Sequence, residues 1–241
     1  MNLSSLLLPT NSYKYEDIID IVSRIGNLCY EIFFIIDFEH EGLSSLSTPE
    51  KFADNVLTAK PLLQSNYKES SGLYADEIEK LTIISEAIQH YFSLCNRRSR
   101  SSLLFLTDIL IQFNGIRQNR TLKLIPLSET PGGHLRQMIG AITLSSGTFN
   151  SSLIVINQQT SERKAYDYTS SSWQTLELPS LSPIEKSVLA LSAQGLSVPE
   201  ISQITYRAQD SVKSIRKRIF EKLGIKNITE AITFAINYQI L

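Results

Sequence analysis

The chain is short of the residue types that mark the common chemistries. Its 241 residues include two cysteines, Cys29 and Cys95, and one tryptophan, Trp173. Two cysteines do not make a disulfide framework, and no CxxC pair suggests zinc. Both lie in apolar-periodic stretches and read as buried small hydrophobes. No apolar run approaches the ~20 residues that span a bilayer. The start, "MNLSSLLLP", lacks the basic region and cleavage pattern of a signal peptide, so a cytoplasmic chain with no membrane segment is expected. The formal net charge is only −1, and charged residues make up 20%. No overall basicity advertises nucleic acid. No carboxylate pair, Ser/His/Asp set or Gly-rich phosphate loop stands out, so no enzyme, cofactor or metal site is expected. Of the three histidines, His40, His90 and His134, His90 on the long helix reads as a solvent-facing or capping residue.

What is present is a hydrophobic fraction of 42%, ample for a core, and an uneven spread of charge. From Leu178 onward eight Lys/Arg oppose five acids, a net of +3 that leaves −4 on the remainder. That asymmetry points to an anion-binding tail domain behind a neutral-to-acidic one.

The two parts also differ in periodicity. Helical spacing is predicted over 15–30, and again over "SGLYADEIEKLTIISEAIQHYFSLCNR", where Ile78, Leu81, Ile84, Ala87, Ile88 and Phe92 form one stripe. "EIFFIIDFEH" reads as a buried strand. "GLSSLSTPE" reads as turn, with a short helix from the Ser-Thr-Pro signal after it. Past Arg98 come strand-like runs at 102–113, 120–128 and 136–145, bounded by Asn114-Gly115 and Pro131-Gly132-Gly133. One further hairpin ends near Trp173. Short turns between successive strands imply antiparallel pairing, and helices followed by strands imply α+β. Domains are expected at 1–170 and 181–241, with a linker at 171–180.

The last sixty residues are strictly helical in period. "SPIE" (182–185), "SVPE" (197–200) and "NITE" (227–230) have the form of capping boxes, with Asn227 as the third cap, and Gly195 and Gly224 stand as stops. Four short helices are predicted near 183–193, 198–204, 209–222 and 228–237. The third carries "SVKSIRKRIF". At 3.6 residues per turn Val212, Ile215, Ile219 and Leu223 share one face, which packs on the domain. The opposite face carries Asp210, Lys213, Ser214, Lys217 and Glu221. A basic amphipathic helix after a short helix and a tight turn is the pattern of a helix-turn-helix. The N-terminal half of such a helix enters the major groove. This makes Lys213, Ser214 and Lys217 the candidates for base contacts, and Arg207, Arg216 and Arg218 the candidates for phosphates.

"LSPIEKSVLALSAQGLSVPEIS" and "SVKSIRKRIFEKLGIKNITEAITFA" resemble the LuxR-type DNA-binding domain over roughly 180–241. The resemblance implies a bacterial transcription regulator that binds double-stranded DNA as a homodimer. It agrees with the groove residues named above, and it implies that the fourth helix, with Ala231, Ile232, Ala235 and Ile236, forms the dimer contact. The chain departs from the family pattern at "TYRA". Thr205 and Arg207 stand at usually apolar positions, and Ala208 stands where a Ser cap is usual. A protein-interaction or ligand-binding module whose helix-turn-helix no longer reads DNA is therefore the alternative.

Over 20–168 the order of elements resembles a PAS domain: a strand pair, short helices, a longer helix, then three long antiparallel strands. This implies a PAS-like sensor of a small-molecule or protein signal. The meander argues against a phosphoreceiver, which needs a parallel βα array.

Overall fold

The computed structural model describes residues 32–39, 42–47, 75–113, 116–147 and 152–241. The helix expected at 15–30, the short helix expected after Ser47, Cys29 and His40 lie outside them.

Among the described residues eight strands form one sheet. They are β1 (Ile32–Asp37), β2 (Gly42–Ser47), β3 (Leu103–Phe113), β4 (Ile116–Glu129), β5 (Leu135–Leu144), β6 (Leu153–Asn157), β7 (Arg163–Asp167) and β8 (Ser172–Thr175). Their order across the sheet is β2-β1-β5-β4-β3-β6-β7-β8. All described pairings are antiparallel, so the parallel array of a phosphoreceiver is absent from the described residues. The strand pair β1–β2, then helix α1 (Ala75–Leu94), then three long strands, follow the order expected of a PAS-like domain.

The helical stripe and the inner sheet face make the first core. Leu81, Ile84, Ile88 and Phe92 of α1 pack on Leu103, Phe105, Ile109 and Ile111 of β3, with Leu122, Leu124 and Met138 from β4 and β5. Spacing of two along the strand and of 3.6 along the helix puts these residues on facing surfaces. At the β1–β5 pair Phe34 lies opposite Gly140. A Cβ at residue 140 would come 2.2 Å from Phe34 Cζ, so the ring occupies the space that glycine leaves.

The structure departs from sequence expectation at three places in this domain. Strand β4 begins at Ile116, four residues ahead of the expected run at 120–128. "GLSSLS" is strand β2, not turn, and it pairs with β1 from Phe33↔Ser47 to Asp37↔Gly42. Backbone ladder bonds to a buried neighbour need no β-forming side chains, so low propensity was overridden by pairing. At the head of the expected linker, Ser172–Thr175 form β8 on β7. The turn before it is closed by Asp167, which accepts from the Thr169 amide at 2.9 Å and the Ser170 hydroxyl at 2.7 Å. Trp173 is drawn into an aromatic group, 4.8 Å from the Tyr91 ring and 5.3 Å from Tyr166. Burial there pushes the Tyr91 phenol up to about 12, with Cys95 and Glu162 adding to it.

The outer face of the sheet is also covered. Leu104 and Leu106 of β3 and Ile154 and Ile156 of β6 belong to a second core, shared with the C-terminal helices. Strands buried on both faces read as unbroken apolar runs, which accounts for "LLFL" and "LIVI".

Candidate nucleic-acid interface

Four helices follow: α2 (Pro183–Ala193), α3 (Val198–Ile204), α4 (Gln209–Leu223) and α5 (Ile228–Asn237). Each matches its predicted range within a residue, because the stop and start signals are local chemistry. Ser182 caps α2, with Glu185 Oε2 accepting the Ser182 amide at 2.7 Å and Ser182 Oγ accepting the Glu185 amide at 3.4 Å. Glu200 reaches back to the Ser197 amide and hydroxyl at 2.7 and 2.6 Å. Asn227 accepts the Glu230 amide at 2.9 Å. These contacts satisfy backbone donors that a helix start leaves without partners. Gly224 ends α4 at φ 67°, a left-handed position that suits glycine.

The start of α4 is different. Ala208 occupies the cap in an extended conformation, φ −60° and ψ 146°, with no side-chain bond to the helix. The turn before it is closed from the α3 side instead. Thr205 Oγ1 donates to the Ile201 carbonyl at 2.6 Å, and the Ser202 hydroxyl donates to the Arg207 carbonyl.

Helix α4 is divided by face as its spacing dictates. Val212, Ile215, Ile219 and Leu223 are buried. They meet Val188 and Leu189 of α2, Ile201 of α3 and Ala231 and Phe234 of α5 in the second core. The opposite surface is an open cleft of about 600 Å³ lined by Arg207, Asp210, Ser211, Ser214, Lys217 and Arg218, among others. Lys213 bonds Asp210 at 3.0 Å and Lys217 lies 3.8 Å from Glu221, all four side chains being exposed. Such surface pairs hold little energy, about 0–1 kcal/mol, and exchange readily for an outside anion.

Two other cations are tied inward. Arg216 Nη2 donates to Ser192 Oγ at 2.9 Å and to the Leu196 carbonyl at 3.4 Å, clamping α4 to the end of α2 and the entry of α3. Burial lowers its pKa. Lys222 Nζ lies 2.7 Å from Glu185 Oε2, a carboxylate only 3% exposed. Burial alone would push the Glu185 carboxyl up. The Lys222 ammonium and the Ser182 amide and hydroxyl outweigh it and hold the group below its ordinary range. Helix α4 is thereby tied to α2 at its middle, through Arg216, and near its C-terminal end, through Lys222.

Residues 179–235 match the family described as bacterial regulatory proteins, luxR family. The C-terminal domain is of the LuxR type. No curated protein matches the chain. Among solved structures, the complex of phage VqmA with DPO is similar at 16% identity and a TM-score of 0.25, over 92% of this chain and 91% of that one. VqmA bound to DPO gives 12% and 0.31, over 91% and 86%. The Vibrio cholera VqmA–ligand–DNA complex gives 13% and 0.27, over 94% and 88%. At TM-scores this far below 0.5 the likeness carries no weight for fold or ligand.

Within the LuxR-type domain the structure brings together Arg207, Ser214, Lys217 and Arg218 around one cleft, with Lys213 exposed on the same helix. Arg216 is placed otherwise, with its guanidinium bonded inside the domain. Of the residues expected at a dimer contact, Ala231 and Ala235 are fully buried, Ile232 is half-buried and Ile236 is 57% exposed. The end of α5 meets the sheet. Asn237 Nδ2 donates to Thr121 Oγ1 at 3.3 Å and to the Leu144 carbonyl at 3.0 Å. Arg163 Nη2 donates to the Tyr238 and Gln239 carbonyls at 3.0 and 3.4 Å. Sequence reasoning missed this contact and missed Ser211. For Ser211 a signal existed, since Ser211, Ser214 and Arg218 follow one another at i, i+3 and i+7. For Asn237 none did, because its partners are 116 and 93 residues away.

Among the described residues no group of three or more His, Cys, Asp or Glu could hold a metal. No described helix is long and apolar enough to cross a membrane.

Proposed function

We propose that the chain is a sequence-specific DNA-binding transcription regulator of the cytoplasm, acting as a homodimer, whose PAS-like sheet domain responds to a small molecule or protein partner. The observation that carries this is α4. Its apolar stripe is consumed by the domain core, while Lys213, Ser214 and Lys217 are left exposed beside an open cleft. In this reading those three residues reach base edges, and Arg207 and Arg218 contact phosphates. Arg216 keeps its charge at the edge of that surface while fixing the helix. The exposed part of α5, with Ile232 and Ile236, meets the second subunit. The contact of α5 with the sheet gives the sensor domain a mechanical route to the DNA-binding one.

Titration of the full chain with genomic DNA fragments across salt tests this. The wild type should bind with a steep salt dependence. Lys217→Ala should weaken binding and reduce the slope of log affinity on log salt by about 1 if the ammonium displaces a phosphate counterion, and leave the slope nearly unchanged if it reads a base alone. Absence of salt-dependent binding to every fragment overturns the proposal.

A second reading is favoured by the cap that Ala208 does not supply: a LuxR-type domain that no longer reads DNA. Changing Thr205→Leu, Arg207→Ile and Ala208→Ser together discriminates. A gain of tight binding where the wild type has none supports this second reading.

A further inference from the structure

The turn between α3 and α4 presents a side chain that the domain itself does not use. Tyr206 is 96% exposed, so its ring touches almost nothing in the chain. Its backbone sits at φ 52°, a conformation unfavourable for any residue with a Cβ. It is held there from both sides. The Tyr206 amide donates to the Gln203 carbonyl at 3.3 Å, and the Arg207 amide donates to the Ser202 carbonyl at 3.0 Å. The Thr205 and Ser202 hydroxyls close the same turn. Glycine would fit this backbone without strain. A large aromatic kept in a strained conformation, with no contact inside the molecule in return, points to a contact outside it.

Position decides which contact. Tyr206 precedes Gln209, the first residue of α4, by three residues, and the N-terminal half of α4 is the part offered to the groove. Its neighbour Arg207 lines the cleft. Tyr206 precedes α4 and does not line its cleft, which suits a contact at the border of the groove and not within it. A phenol hydroxyl is a neutral donor, and tyrosine is among the side chains that bond phosphate oxygens. Resting on the reading of this domain as DNA-binding, we propose that Tyr206 donates its hydroxyl to a DNA phosphate at the edge of the groove that receives α4.

A neutral donor leaves a signature that a cation does not. It adds affinity without displacing a counterion, so its loss lowers binding at every salt concentration and leaves the salt slope unchanged. The probe is a duplex of random sequence, because a phosphate contact does not depend on sequence, titrated with the full chain from about 50 to about 200 mM salt. Tyr206→Phe, which keeps ring and backbone, should bind about threefold to tenfold more weakly with an unaltered slope. Arg207→Ala should lose both affinity and about one unit of slope. Tyr206→Gly should bind at least as weakly as Tyr206→Phe and yet melt at a higher temperature, because strain is relieved. Lower affinity together with higher stability is a combination that a purely structural role cannot give. If the wild type binds and Tyr206→Phe binds equally well, the phosphate contact is wrong and Tyr206 with its exposed neighbour Ile204 serves a protein surface. If the wild type binds no duplex at low salt, the DNA-binding reading fails, and this inference with it.

Discussion

Replacing Glu185 by alanine should unfasten the recognition helix from the domain entry. The carboxylate is 3% exposed, and Oε2 accepts from the Lys222 ammonium and the Ser182 amide, both at 2.7 Å. Hydrogen bonds to a charged group contribute about 1.5–3 kcal/mol each. Lys222 is 41% exposed on its side chain and regains water when its partner is removed, which reduces the loss. The expected cost is about 3 kcal/mol. If the chain melts as one unit, that lowers the midpoint by about 6–12 °C, at roughly 2–4 °C per kcal/mol for a protein of this size. The pH dependence follows from the direction of the shift. The folded carboxyl lies below its ordinary value of 4.5, so its contribution is complete above pH 4.5 and is lost as pH falls through the folded value. The stability gap between wild type and Glu185→Ala should stay constant from neutral pH to about 4.5 and narrow below it. Lys222→Met leaves the buried carboxylate without a cation at a cost of about 3 kcal/mol. Loss of that ammonium raises the carboxyl's pKa from its wild-type position, so the gap to wild type narrows as pH falls. Chemical denaturation at pH 7 and at mildly acidic pH measures both. A loss under about 1 kcal/mol for Glu185→Ala, well short of one charged hydrogen bond, refutes the reasoning, as does a gap that does not change with pH.

Two further outcomes are open to the same measurement. Ala208→Ser places a hydroxyl at a cap whose backbone is already extended, at φ −60° and ψ 146°, and should stabilise the chain by about 1 kcal/mol in urea denaturation. Asn237→Ala removes the two bonds that this side chain makes to the sheet. It should cost about 1–3 kcal/mol and increase amide exchange at β4 and β5 as well as in α5.

The four C-terminal helices were legible to within a residue because their limits are written in neighbouring side chains. Ser182 with Glu185, Asn227 with Glu230 and Gly224 each act within three or four residues of where they stand. The division of α4 was legible for the same reason, since a period of 3.6 leaves Val212, Ile215 and Ile219 no other common face. Helix α1 and the three long strands showed through alternation and through turn residues. Strand β2 did not, because what makes "GLSSLS" a strand is the backbone of β1 beside it. Strand β8 did not either, because Trp173 is held by rings from Tyr91 and Tyr166, neither of which is next to it in sequence.

The sequence by itself determined which residues of α4 could face outward and which had to face the core, because both follow from spacing along one helix. It did not determine which cations remain free. Arg216 and Arg218 are two residues apart in the same basic run, yet the first is bonded to Ser192 and the Leu196 carbonyl while the second lines the cleft. Nor could it show that the helical domain lies on the outer face of the sheet. That depends on Leu104, Leu106, Ile154 and Ile156 meeting residues beyond Leu181, and on Asn237 finding Thr121. Contacts between segments far apart in the chain leave no periodicity in either segment. Only the packed chain decides them.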